Sequence, residues 1–246
     1  MSDVTRLLFE PQRSTLAAEF LQAMDDATLS HISFGVLLSG PACTGKTAVG
    51  LLSFLYCAAR GLPCVYIPNT RDWVVAAQTG RGDEYFLGVF LSQNADLILR
   101  DSILRAALAP ALSGGPLDST IMSRLLSALL ARPGPAVGCI FDEVQIISAS
   151  IAAGLSPGAI PKFQEAAAYF LQWQSWATRL SCFVRMDISS AHGSRGPMFP
   201  GGEAGRLRIL QPWSMAEVTS ACSETCFSLC VCVCDTVHLI LTRNRE

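Results

Sequence analysis

The chain has 246 residues, half of them hydrophobic and 15% charged, enough to bury a sizeable core in one domain, or in a domain with a small appendage, and too apolar for global disorder. A net charge of -2 supplies no basic field for nucleic acid and no acidic tail. The opening MSDVTRLLFEPQRSTLAAEF lacks the basic start, apolar run and small-residue cleavage site of a secretory signal, and no clean apolar run reaches the ~18 residues of a membrane span. The expectation is a soluble intracellular protein with no membrane partner.

Residues 15–29 (TLAAEFLQAMDDATL) set apolar side chains three and four apart, the period of a helix. Residues 33–38 (SFGVLL) read as a short buried strand running straight into a glycine loop. Residues 48–60 (AVGLLSFLYCAAR) form an apolar helix that Gly61 and Pro63 end. Residues 64–67 (CVYI) are a second strand, stopped by Pro68 and Asn69. Residues 85–105 and 120–131 read as helices, with a break at Ser113-Gly114-Gly115-Pro116 between them. A third strand, 136–141 (AVGCIF), lies between Pro133-Gly134-Pro135 and Asp142-Glu143. Residues 163–178 are helical, 180–188 (LSCFVRMDI) are a fourth strand and 206–210 (RLRIL) a fifth.

Strands alternating with helices predict an α/β domain of three layers, with a mostly parallel sheet of about five strands. Its span is 31–218, preceded by a helical extension over 1–30 and followed by a cysteine-rich tail over 219–246. Ligands of such sheets sit beyond the carboxyl ends of the strands. The glycine loop, Asp142-Glu143 and Ser189-Ser190 each follow a strand, so they converge on one edge.

The loop carries the most specific signal. Gly40, Pro41, Ala42, Cys43, Thr44, Gly45, Lys46 and Thr47 spell G-x-x-x-x-G-K-T, with Ala48 continuing into the helix. Glycines let successive N–H groups point into one concavity, and the helix N-terminus adds a favourable dipole. Lys46 would reach the β- and γ-phosphates and the Thr47 hydroxyl would ligate Mg²⁺. The chain has only two lysines, Lys46 and Lys162, so an incidental match is improbable on composition. At the end of the third strand, Asp142 would hold Mg²⁺ through a water and Glu143 would polarise the attacking water as general base. A guanine-specific site would also need an Asn-Lys-x-Asp reader. Lys162 sits in Pro-Lys-Phe-Gln, which favours ATP.

Ser189 and Ser190 stand where a polar sensor of the γ-phosphate is placed in related ATPases, although a serine-rich loop start explains them equally well. His192 reads as a loop residue. Arg71, Arg81, Arg185, Arg195, Arg206 and Arg208 are candidates for a charge-stabilising arginine, among which Arg206 and Arg208 alternate on one strand.

The loop GPACTGKT, the segments GLPCVYIPNTRDWV and GDEYFLGVFLSQNADLIL, the FDEVQ and the later SSAHG…RLRILQPW together resemble the P-loop ATPase module of Crinkler-type proteins, to which retrotransposon-hot-spot proteins are similar. The likeness covers roughly residues 31–218. It implies an ATPase of the AAA+/STAND-like group, with Gln145 part of the FDEVQ signature. In that family a lid region and a nuclease-like effector domain commonly follow, and neither is legible in these residues.

From Ala221 to Asp235 the character changes to ACSETCFSLCVCVCD. Cys222 and Cys226 share a helical spacing, whereas Cys230, Cys232 and Cys234 alternate as in a strand. No C-x-x-C supports zinc, and an intracellular setting disfavours disulfides. Cys-Val-Cys-Val-Cys is also what a TG repeat encodes, so translated repetitive DNA is a third reading. The expected function is Mg²⁺-dependent ATP hydrolysis. The alternatives are a nucleotide-dependent switch with negligible turnover that closes on a protein partner or a second copy, an inactive mobile-element or effector fragment, and a small-molecule kinase.

Overall fold

The structure, a computed structural model, describes residues 11–30, 34–39, 45–131, 137–177, 183–189 and 205–209. In chain order the elements are α1 (Pro11–Ser30), β1 (Phe34–Ser39), α2 (Lys46–Ala59), β2 (Cys64–Ile67), α3 (Thr70–Ala77), α4 (Gly82–Gln93), α5 (Ala95–Arg100), α6 (Ser102–Leu112), α7 (Ser119–Ala131), β3 (Val137–Phe141), α8 (Gln145–Leu155), α9 (Pro161–Ala177), β4 (Phe183–Ser189) and β5 (Gly205–Ile209). The strands pair in parallel in the order β2-β3-β4-β1-β5.

Strand periodicity sorts the core into two layers. Leu38, Tyr66, Ile140, Val184, Met186 and Ile188 meet Phe20, Met24 and Ala27 of α1 and Val49 and Cys57 of α2. The opposite face buries Val65, Ile67, Cys139 and Phe141 under α3, α4, α7, α8 and α9. Thus α1 is built into the first layer rather than appended to it. The chain leaves β1 toward β2 with α2 on one face, then returns through β3 to β4 with its helices on the other. Right-handed crossovers in opposite directions require that change of face.

Trp73 organises the second layer. It is fully buried, stacks on Phe141 at 5.7 Å between ring centroids, and meets Phe170 and Trp173 edge-on at 5.0 and 5.3 Å. Its indole N–H donates to the Gly82 carbonyl at 3.2 Å, so burial leaves no polar cost. Through this side chain α3 is pressed onto the end of β3.

Three further features depart from the sequence expectations. The helix expected over 85–105 is broken at Asn94 and Asp101. Asp101 caps α6, its carboxylate accepting from Ile103 and Leu104 N–H at 3.0 Å each, while Asn94 turns to the sheet. Its side-chain amide accepts from Cys64 N–H at 3.1 Å and donates to Cys64 C=O at 3.0 Å. Gln93 does the same to Tyr66, accepting at 2.8 Å and donating at 2.7 Å. Two side-chain amides thus mimic a neighbouring strand along the outer edge of β2. The other departures are α3 and α8, which had no counterpart in the expected elements. The first is announced by Asn69, whose side chain accepts from Arg71 N–H at 3.0 Å as an N-cap. Cys57, Cys64 and Cys139 are buried free thiols, small side chains within the core. The cysteine-rich tail lies outside the described residues, among which no helix is long and apolar enough to cross a membrane.

Gly50 sets how closely α2 lies on the sheet. A Cβ there would come within 2.7 Å of Ile188 Cδ1 and 3.2 Å of Ile140 Cγ2. Gly50→Ala is therefore expected to destabilise the protein by about 1–3 kcal/mol through overpacking. The urea unfolding midpoint of the variant checks this.

Candidate functional site

The carboxyl ends of β1, β3 and β4 lie along one edge of the sheet, with β4 between the other two. Two strand spacings separate β1 from β3 by roughly 9–10 Å, and residues following β1 reach Asp142 only across that gap. The residues Gly40, Pro41, Ala42, Cys43 and Thr44 lie outside the described segments, as does Ser190. Gly45 enters α2 with φ 81°, a left-handed conformation, and its carbonyl accepts from Val49 N–H at 3.1 Å. The first N–H groups of a helix have no acceptor within it. No acidic residue belongs to the first turn of α2, and the carboxylate that approaches it is that of Asp142, through Thr47.

Lys46 opens that helix and is only 7% exposed. Thr47 follows, its hydroxyl donating to Asp142 Oδ2 at 2.5 Å. That hydrogen bond joins residues 95 positions apart. Ala48 is half-buried behind it.

Asp142 is 6% exposed. Its N–H continues the β2–β3 ladder to Ile67 C=O at 2.9 Å, and its C=O accepts from Thr70 N–H at 3.3 Å. Oδ1 accepts from Glu143 N–H at 2.9 Å. Burial raises this carboxyl above the usual range, and the Thr47 hydroxyl, the Glu143 N–H and the charge of Lys46 counter the rise.

Glu143 has φ 58°, the one non-glycine residue with positive φ among the described residues. Such a conformation costs an L-residue about 1–2 kcal/mol, so its neighbours must hold it. The Thr70 hydroxyl donates to Glu143 C=O at 2.7 Å and Ile146 N–H donates to the same oxygen at 3.0 Å. Val144 N–H donates to Ile188 C=O at 3.1 Å, tying the turn to the end of β4. The Glu143 side chain is exposed at the sheet edge, and Gln145 begins α8 two residues on.

Ser189 ends β4, 3% exposed and in register with Ser39. Of the arginine candidates, Arg185 Nε lies 2.8 Å from Asp187 Oδ2 inside the fold, which removes it from the site edge. Arg81 is paired with Glu84 at 2.6 Å on the surface. Arg71 is exposed on the first turn of α3. Arg206 and Arg208 stand opposite Val36 and Leu38 in register on β5. Arg195 and His192 lie outside the described residues.

No group of three or more histidine, cysteine or acidic side chains among the described residues could cage a metal. The oxygen pair of Thr47 and Asp142 fits Mg²⁺, which binds through one or two protein oxygens together with substrate phosphates rather than in an all-protein cage.

No family model matches the chain, and no curated protein or solved structure is significantly similar to it. The site therefore rests on its own geometry.

Two residues escaped the sequence reading. Thr70 was signalled by the Pro68-Asn69-Thr70 helix start. Asp187 was signalled by the alternation of β4, where apolar Val184, Met186 and Ile188 interleave with polar Arg185, Asp187 and Ser189. Asp187 is 5% exposed, and its Oδ1 has no hydrogen-bond partner. Burial pushes its carboxyl up to about 6 despite Arg185, and lowers the Arg185 guanidinium in turn.

The folded state thus holds the Asp187 proton more tightly than the unfolded chain, whose aspartates titrate near ~4. This stabilisation is complete below pH ~4 and is lost as pH rises through about 6. Asp187→Asn, which cannot ionise, should gain stability relative to wild type across that window and run parallel outside it. Urea midpoints of both proteins between pH 3.5 and 7.5, roughly the span set by the two pKa values, test the expectation.

Proposed function

We propose that this chain is a P-loop NTPase that binds ATP with Mg²⁺ and hydrolyses it. The observation that carries the reading is the hydrogen bond from Thr47 to Asp142. It brings the end of the glycine-loop sequence and the acidic end of β3 together beside the buried Lys46 and the N-terminus of α2. A triphosphate at this edge would meet cationic Lys46 and the N–H groups of Gly45 to Ala48. Thr47 and Asp142 would hold the Mg²⁺, which, when bound, neutralises charge on the β- and γ-phosphates. Parallel strands and helices on both faces support the three-layer class, and the strand order leaves the gap beside β4 in which such a ligand sits.

The reaction asks little covalent chemistry of the protein. A water oxygen attacks the γ-phosphorus, the bond from that phosphorus to the bridging oxygen breaks, and the electron pair leaves on ADP. Glu143 takes the water's proton as general base. Its exposed carboxylate beside the buried Asp142 suits that division of labour, since the general base must meet the attacking water while Asp142 serves the metal. The missing Asn-Lys-x-Asp reader favours ATP over GTP, and the resemblance to Crinkler-type ATPase modules points the same way.

Binding of a fluorescent ATP analogue and phosphate release test the proposal. Lys46→Ala should weaken binding by tenfold or more, roughly 1.4 kcal/mol. Glu143→Gln should leave binding intact and lower turnover by roughly 10²–10⁴-fold, the usual contribution of a general base. Absence of binding by the wild type would overturn the reading. Tight binding that Lys46→Ala abolishes, without phosphate release, would instead establish a nucleotide-dependent switch.

A further inference from the structure

We infer that Thr70 is a positioning residue for this reaction, acting through the backbone of Glu143; the inference rests on the hydrolytic reading above. Thr70 is the first residue of α3 and is fully buried. It touches both members of the acidic pair through the main chain. Its N–H donates to Asp142 C=O at 3.3 Å, and its hydroxyl donates to Glu143 C=O at 2.7 Å. One residue therefore holds the carbonyls of two consecutive peptides, Asp142–Glu143 and Glu143–Val144, on either side of the Glu143 Cα.

What that grip secures is the left-handed backbone of Glu143, at φ 58°. A glutamate relieved of its restraints would relax toward negative φ, because its Cβ crowds the following carbonyl in the left-handed region. Such a relaxation re-aims the Cα–Cβ bond and moves the exposed carboxylate away from the edge where Thr47 meets Asp142. Three other restraints remain, the first being Glu143 N–H on Asp142 Oδ1 at 2.9 Å. Ile146 N–H reaches the same Glu143 carbonyl from within the turn, and Val144 N–H fixes only the far side of the turn to Ile188. Thr70 belongs to an element that Trp73 clamps onto β3, so its hydroxyl is a donor with a fixed address. The side chain of Asp142 is held separately by Thr47, so loss of the Thr70 hydroxyl should spare the metal pair.

The geometry makes a distinctive kinetic prediction. Thr70→Val keeps shape and removes the hydroxyl. Turnover should fall by roughly tenfold to a hundredfold, the scale of a misplacement near 1 Å, while affinity for ATP with Mg²⁺ changes less than about twofold, within the scatter of surface-neutral changes. Thr70→Ser, which keeps the hydroxyl, should restore most of the turnover. In a Glu143→Gln background Thr70→Val should cost nothing further, because a residue that acts only through Glu143 has no effect once that base is gone.

Single-turnover phosphate release and analogue binding on the full chain, with melting temperatures for each variant, decide the matter. Equal and additive losses in both backgrounds, or failure of Thr70→Ser to rescue a folded protein, would overturn the inference while leaving the hydrolytic reading intact. Should Thr70→Val not fold, Thr70→Ala gives the same comparison. A wild type that binds ATP but releases no phosphate would overturn both.

Discussion

A carboxylate buried at the end of a strand needs its lone pairs satisfied and its charge answered, and the site is organised around Asp142 meeting that demand. Each of its four polar groups finds a different part of the chain: β2 through Ile67, α3 through Thr70, the following turn through Glu143 and α2 through Thr47. Leaving one partner of a buried charged group unmade costs several times what the bond itself contributes net. The elements that converge on Asp142 are thus held together by the same groups that would do the chemistry, with Lys46 adding the compensating cation.

Packing decides where those groups can be. Gly50 lets α2 settle close to Ile140 and Ile188, which brings its first turn level with the strand ends. On the other face the Trp73 cluster does the same for α3. Two apolar layers with no chemistry of their own thereby define the approach of two helix N-termini to one turn. The left-handed Glu143 is where their constraints meet, and its strain is carried by neighbours rather than by its own side chain.

Much of this was legible in the residues. Strand runs such as CVYI and AVGCIF are apolar, short and bounded by Pro, Gly or acidic residues, and the structure places them within a residue or two of expectation. The sequence also pointed to Thr47 and Asp142, and the fold brings them into hydrogen bond. What it hid was local. Residues 85–105 carry apolar side chains at helical spacing on both sides of Ser92-Gln93-Asn94-Ala95-Asp96, but that polar gap does not reveal the role of Asn94, which is set by a strand thirty residues earlier. The helices α3 and α8 are two to three turns long, too short for periodicity to separate them from loop, although Asn69 offered a cap. Asp187 was readable as a polar position on an alternating strand, but its burial depends on packing that no window of residues contains. Gly40 to Thr44, the most specific segment of the sequence, lie outside the described residues, and the proposed phosphate site is argued from Gly45, Lys46 and Thr47.

The amides of Gln93 and Asn94 along β2 carry a consequence for assembly. A parallel sheet usually ends in a row of open backbone donors and acceptors that another chain can join. Here the outward-facing groups of Cys64 and Tyr66 are already spent on side chains from the adjacent helix end. The sheet is terminated in the manner of a sealed hem, and a second molecule cannot lengthen it on that side without first unpicking four hydrogen bonds. Contact between copies of this chain on the β2 side would therefore be made through helices or loops, which leaves that flank as the quiet edge of the sheet.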